Sequence, residues 1–335
     1  MVHLDGLPRI GLVPIPALRG TIAREARPAS TDRRKIAHAG AGEAPPVSRP
    51  LASVAVAVAV AMALVAVSAS ASAGLVTLPD GRRIYLECRG SGSPTVILGS
   101  GAGNGADIWS FRLPGPHKPE VFPAMARFTR VCAYDRPGVM LQGGALSRSD
   151  PVPLPRPLAA NVTELHQLLR AAHIRPPFVI AGHSFGGMIM RLFASTYPRE
   201  VRAFVSIDAA EEIFYGAQLV LLTPEELNPP GVEVSIQEAA ATMWRARVDR
   251  PLRPMPMIVL EHSRDRRRVP NPFDAPPSFP ILPLEQAFQA SQDDLASLVP
   301  HTRHIIATRS GHYIQLDQPE LVIRSIRAVA RDSSG

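Results

Sequence analysis

One stretch constrains this chain more than any other: Phe178 to Pro198, FVIAGHSFGGMIMRLFASTYP. The apolar run Phe178-Val179-Ile180-Ala181 has the length of a buried strand. Gly182-His183-Ser184-Phe185-Gly186 follows, a G-x-S-x-G pattern, and Met188, Ile189, Leu192 and Phe193 then recur at helical spacing. Strand, sharp turn and helix is the context in which such a serine is lifted clear of a sheet edge. The turn strains the serine backbone, and the positions two residues away on either side must be small. Here both are glycine. The helix N-terminus beneath offers free N–H groups to negative charge. Gly186-Gly187 could also be plain packing glycines, but the strand before and the helix after favour Ser184 as a nucleophile.

The chain has 335 residues, room for one large domain or two small ones, and 46% hydrophobic content suits a sizeable core. Lysine occurs only at Lys35 and Lys118, so nearly all positive charge is arginine. The formal charge of +7 is mild and scattered, which argues against nucleic acid as a partner. The basic run Arg264–Arg268 reads as a solvated loop rather than a phosphate site.

Residues 1–50 show no sustained periodicity and are rich in Pro, Ala, Gly and Arg, so a disordered extension is expected. Leu51 to Val67 is an unbroken small-apolar run, and Ser68–Ala73 ends in an A-x-A site. Residues 51–73 thus read as a secretory signal peptide cleaved before Gly74, which implies a secreted or extracytoplasmic protein. The alternative is an uncleaved anchor with membrane association through residues 51–67. That run is short and weakly apolar against the roughly 20 residues a span needs. Fifty residues are too many for the basic leader of such a peptide, so a start assigned too early is a further expectation, Val47 being a suitable start. N-terminal sequencing of exported protein beginning far from Gly74 would overturn the cleavage site.

From residue 74 to 335 the pattern becomes that of one domain. Leu75–Leu78, a Pro79-Asp80-Gly81 turn and Arg83–Cys88 read as a hairpin. Thr95–Leu98 is a short buried strand running into Gly99-Ser100-Gly101-Ala102-Gly103-Asn104. No Lys-Ser/Thr follows, so a phosphate cradle is disfavoured. The better reading is a loop whose Ala102 N–H joins that of Phe185 to hold an oxyanion; an ordinary tight turn is the alternative. Arg130–Tyr134 is a strand ending in Asp135-Arg136-Pro137-Gly138, where acid and base are expected to pair with each other and brace the loop. A helix over Leu158–Ala172 leads into the nucleophile strand, and Val201–Ile207 ends at Asp208. Residues 209–254 interrupt the alternation with short helical pieces where a cap could sit over the serine. Met243, Trp244 and Leu219–Leu222 could line a pocket there or serve the cap's own packing. Met257–Leu260 resumes as a strand, Arg264–Pro283 reads as loop, Leu284–Leu298 as helix and His304–Ala307 as the last strand. A helix over Glu320–Ala330 closes the chain.

A serine hydroxyl needs a base within hydrogen-bond reach. Among ten histidines, His312 follows a strand on a glycine-flanked loop before the last helix and is the expected base; His183 is expected to pack in the elbow. The base needs a buried carboxylate to fix its tautomer. Asp208, at a strand end among Ile207, Ala209 and Ala210, is preferred, because a carboxylate in apolar company must be paired. Asp265 follows the next strand but sits among four arginines, and remains the alternative.

These features resemble the α/β-hydrolase superfamily over residues 75–331. The likeness rests on GHSFGG at 182–187, YDRPG at 134–138, SGHYIQLDQPELV at 310–322 and the Ser–Asp–His order. It is similar to a bacterial subgroup with ECRG…SP and CAYDRPG segments. The resemblance implies an α/β-hydrolase fold: a mostly parallel eight-stranded sheet, helices on both faces, and a small helical cap after strand six, here about 209–254. It implies cleavage of a carboxylic ester or similar acyl bond by Ser184, His312 and an aspartate, on a small, partly apolar substrate, with no cofactor. Acyl transfer, C–C hydrolysis, cofactor-free haloperoxidation and a non-catalytic binding role are the alternatives. The family's strand order would set Cys88 and Cys132 side by side, as a disulfide in an exported protein or as two buried thiols. No Cys/His set has zinc-ligand spacing, so no metal is expected.

Overall fold

The computed structural model of the chain describes residues 72–332 except 114, 116, 117, 142, 143 and 266–277. The expected N-terminal extension and all but the last two residues of the expected signal peptide or anchor lie outside the described residues. Among the described residues, no helix is long and apolar enough to cross a membrane.

Eight strands form one sheet: β1 (Ser72–Thr77), β2 (Arg83–Arg89), β3 (Thr95–Gly99), β4 (Val131–Tyr134), β5 (Phe178–His183), β6 (Val201–Ile207), β7 (Met257–Glu261) and β8 (Arg303–Ile306). Their spatial order is β1-β2-β4-β3-β5-β6-β7-β8. Only β1–β2 and β2–β4 pair antiparallel; the other five pairs are parallel. Parallel strands are covered on both faces and read as continuous apolar runs, and β3, β4, β5 and β7 are buried at every residue.

The period of two decides which layer each side chain joins. Along β5, Phe178 and Ile180 join the core against Leu165, Leu168, Ile189 and Phe193, whereas Val179 and Ala181 join the core against Phe122, Met125, Val322 and Ile326. The first set lies on α2 (Leu158–Ala171) and α3 (Phe185–Thr196), after the short α1 (Val121–Ala126). The second set lies on α1 and on the closing helix, which follows five others: α4 (Glu212–Leu221), α5 (Pro224–Leu227), α6 (Ile236–Asp249), α7 (Ile281–Ser297), α8 (Ile314–Asp317) and then α9 (Pro319–Asp332). Helices therefore cover both faces, as expected.

The cap expected over 209–254 is α4 to α6, inserted between β6 and β7. Thr223 opens α5 with a reciprocal capping box to Glu226, and Ser235 caps α6 by accepting from the Glu238 N–H. Of the residues considered for a pocket lining, Met243 is buried in the core, Trp244 and Leu219–Leu221 are exposed, and Leu222 alone faces the cavity described below. The stretch read as loop over 264–283 ends earlier than expected, because α7 begins at Ile281; its residues 266–277 lie outside the described residues.

Cys88 and Cys132 stand directly opposite each other on β2 and β4 and are joined by a disulfide. The bond closes a loop spanning 44 residues. Replacing both by serine is expected to lower unfolding free energy by about 2–4 kcal/mol, mainly by freeing the unfolded chain. Urea denaturation checks this, and an unchanged midpoint would refute it.

Candidate active site

The site is built where β5 stops. Ser184 sits between β5 and α3 with φ +52° and ψ −124°, a backbone region that side chains rarely occupy. The turn closes tightly enough to exclude Cβ atoms: one on Gly182 would lie 2.5 Å from the Gly186 carbonyl oxygen, and one on Gly186 would lie 2.4 Å from those of Gly99 and Ser100. The glycines on either side of Ser184 are thus steric requirements. The Ser184 N–H donates to the Ile207 carbonyl at 3.0 Å, and the Ser184 carbonyl accepts from the Ala210 N–H at 3.2 Å. These two bonds clasp the elbow to the end of β6 on either side of Asp208.

Asp208 is fully buried and also has a positive φ, +50°. Its N–H donates to the Leu260 carbonyl at 2.7 Å, so the ends of β6 and β7 are locked together. The Ser263 N–H donates to the Ser310 carbonyl at 3.0 Å, which ties on the loop after β8. That loop carries His312. The Gly311 N–H donates to Asp317 Oδ2 at 2.9 Å, and His183 Nε2–H donates to the His312 carbonyl at 2.9 Å. His183 is thus buried in the elbow, supporting the loop. Burial first, and the neighbouring His312 second, push its pKa down to about 3, so the ring is neutral.

His312 Nδ1 lies 2.6 Å from Asp208 Oδ2. An ionised carboxylate only accepts, so Nδ1 carries the hydrogen and Nε2 is left to act as base. Burial alone would raise the Asp208 pKa. The charge and hydrogen bond of His262, then the hydrogen bond of His312, outweigh it and hold the carboxyl well below its usual range. Asp265 does not line the cavity, and its N–H donates to Ser263 Oγ at 3.2 Å. Of the two candidate acids the structure therefore brings Asp208, and not Asp265, to His312.

Ser184, His312, His183 and Phe185 share the lining of one cavity of about 400 Å³. No hydrogen bond joins Ser184 Oγ to His312 among the described residues, and such bonds often tighten only when substrate is bound. Ala102 and Phe185 line the same cavity, and neither N–H has a hydrogen-bond acceptor among the described residues. The wall is mostly apolar: Phe214 and Leu222 come from the cap side, and Leu284 and Phe288 from α7.

The loop bearing Ala102 is held from below by Arg136, which corrects the expected Asp135–Arg136 pair. Consecutive residues leave an extended chain on opposite sides. Asp135 accepts from the Ala106 N–H at 2.7 Å and from Arg148 at 2.6 and 2.8 Å. Arg136 donates to the Ser100 and Gly101 carbonyls at 2.5 and 2.7 Å and to Glu233 at 2.6 and 3.0 Å. Glu233, from the loop before α6, also accepts from the Gly103 N–H at 2.8 Å.

Three site residues escaped the sequence reading: Glu233, His262 and Glu285. An acid set between Val232 and Val234 was the available sign for Glu233. His262 directly after the β7 strand was the sign for the second. Glu285 on α7 gave none. Elsewhere, Glu261, Asp293 and His304 bring three metal-ligand atoms within 4.8 Å of one another. Arg264 already bridges Glu261 and Asp293 there, each at 2.7 Å, so its guanidinium supplies the positive charge between the acids.

An elbow serine, an aspartate-bound histidine and a capped eight-stranded sheet define an α/β-hydrolase. The chain belongs to the alpha/beta hydrolase family, whose model matches residues 96–325. It is similar to the uncharacterized protein YqjL of Bacillus subtilis, 23% identical over 242 residues, which span 70% of this chain and 82% of that one. Among solved structures it is similar in fold to Cfl2 from Burkholderia cenocepacia, with TM-score 0.52, 18% identity and coverage of 77% of this chain and 95% of that one. A hydrolase from Pseudomonas aeruginosa PA01 is similar too, with TM-score 0.52, 15% identity and coverage of 77% and 98%.

Proposed function

We propose that this protein is a serine hydrolase that cleaves a carboxylic ester, or a similar acyl bond, by way of an acyl-enzyme on Ser184. The observation that carries this reading is the 2.6 Å contact of His312 Nδ1 with the buried Asp208, at a cavity that Ser184 also lines. In the reaction His312 Nε2 takes the hydroxyl proton as Ser184 Oγ bonds to the carbonyl carbon. The oxyanion that forms is held by the N–H groups of Phe185 and Ala102. Collapse breaks the ester C–O bond, and the alcohol leaves with the proton from His312. Water then repeats the sequence: His312 takes its proton, its oxygen adds to the acyl carbon, and Ser184 regains its hydrogen.

The apolar wall favours a substrate with an apolar acyl chain. The cavity falls in the range of small-molecule sites, about 300–1,000 Å³. Hexanoate has four methylenes more than acetate, each contributing about 0.8 kcal/mol on leaving water, so kcat/KM on p-nitrophenyl esters should rise between them by on the order of 100-fold. A flat series, or one that falls from acetate onward, would refute the assignment of the cavity to the acyl chain. The Cys88–Cys132 disulfide supports an extracytoplasmic location, because such bonds persist in oxidising compartments.

A further inference from the structure

His262 takes no part in the steps above, yet it is bound more closely to Asp208 than a bystander needs to be. Its N–H donates to Asp208 Oδ1 at 2.8 Å. Its ring Nδ1 stands 3.0 Å from Oδ1 and 2.9 Å from Oδ2 of the same carboxylate. Its Nε2 stands 2.9 Å from Glu285 Oε1 on α7, which also accepts from Gln289 at 2.8 Å. Both ring nitrogens thus face carboxylate oxygens, and ionised carboxylates only accept. With both acids ionised, the ring carries two hydrogens and a positive charge. Among the described residues, the charged or titratable groups facing it are Asp208 at the end of β6 and Glu285 on α7, with His312 on the far side of Asp208. The Phe288 ring stands 5.3 Å from it, and both line the cavity. Burial lowers the His262 pKa, but the charge and hydrogen bond of Asp208 and the bond to Glu285 outweigh it and raise it to about 11.

Resting on the serine-hydrolase reading, we propose that His262 is a positioning residue: as a cation it fixes the Asp208 carboxylate for His312 and offsets part of its negative charge, and Glu285 keeps it charged. Orientation comes from the ring Nδ1–H; without it the carboxylate keeps, among the described residues, the His312 bond and the bond from the main-chain N–H of residue 262. The charge matters separately. Two unit charges a few ångströms apart interact by several kcal/mol even at an effective dielectric constant of about 20, enough to move an ionisation by about one pH unit or more.

The test compares wild type, His262→Gln and Glu285→Gln in three readouts: kcat against KM, the pH profile of kcat/KM, and the ring ¹⁵N spectrum. In His262→Gln, kcat is expected to fall about 10- to 100-fold with KM within about twofold, the size expected for a supporting group behind a general base. The acid side of its profile is expected to move up by about one pH unit, because the negative charge of Asp208 then faces His312 uncompensated. In wild type at about pH 8, where free imidazole is neutral, both His262 nitrogens are expected to carry hydrogen. In Glu285→Gln the ring should lose a proton at lower pH than in wild type. A neutral His262 ring in wild type at that pH overturns the proposal even if the His262 variant fails to fold. So does a uniform loss of activity with an unmoved acid side. Ser184→Ala separates the two levels. Retained activity there overturns the hydrolase reading and this inference with it. A dead Ser184→Ala enzyme with an unmoved acid side in His262→Gln overturns the inference alone.

Discussion

Ser184→Ala is expected to lower kcat by about 10⁴- to 10⁶-fold, with KM nearly unchanged. In the proposed reaction the hydroxyl is the atom that bonds to the acyl carbon, and among the described residues no other serine, threonine or cysteine lines the cavity. The apolar wall and the free N–H groups of Phe185 and Ala102 survive the change, so binding and some oxyanion stabilisation persist. Stability should change little. Alanine must accept the same φ of +52°, but no hydrogen bond from Oγ is lost among the described residues. Steady-state ester hydrolysis together with a thermal melt checks both halves. A variant that folds and keeps more than about a tenth of wild-type turnover would remove Ser184 from the chemistry.

Asp208→Asn carries the next largest effect, a loss of about 10⁴-fold in kcat. Asparagine cannot accept from the His312 Nδ1–H and the His262 donors as a carboxylate does, and its amide would favour the wrong tautomer of His312. Burial makes the change harder to absorb, since Asp208 is inaccessible to solvent and no water can replace its charge. Asp265→Asn is expected to stay within about twofold of wild type, as a loop substitution outside the cavity should. Finding the large loss at Asp265 and the small one at Asp208 would transfer the role of acid to the residue after β7.

The elements legible in the sequence were those whose cause is local. The elbow announces itself because a strained turn admits only glycine on either side of Ser184, and the contacts at Gly182 and Gly186 are of that kind. The strands were readable because covered parallel strands must be apolar along their length, as β5 is. Asp208 stood out as a charge in apolar company. Asp135 and Arg136 were misjudged because adjacency along the chain suggested a pair, whereas their side chains diverge to Arg148 and Glu233. The Arg136–Glu233 pair spans 97 positions and the His262–Asp208 pair 54. Contacts of that range leave no periodic trace, because both partners reach the site only when separate crossovers bring strand ends together.

The Glu233–Arg136 pair has a consequence for engineering. The segment that carries the cap and the loop that bears Ala102 share one nearly solvent-free ion pair. A chimera that exchanges residues 209–254 for another protein's lid must supply a carboxylate at the same spot. Without it, an enclosed guanidinium is left unneutralised, at about 3–5 kcal/mol. Substrate range and turnover would then shift together, so lid swapping in this scaffold is a two-parameter change and not a modular one.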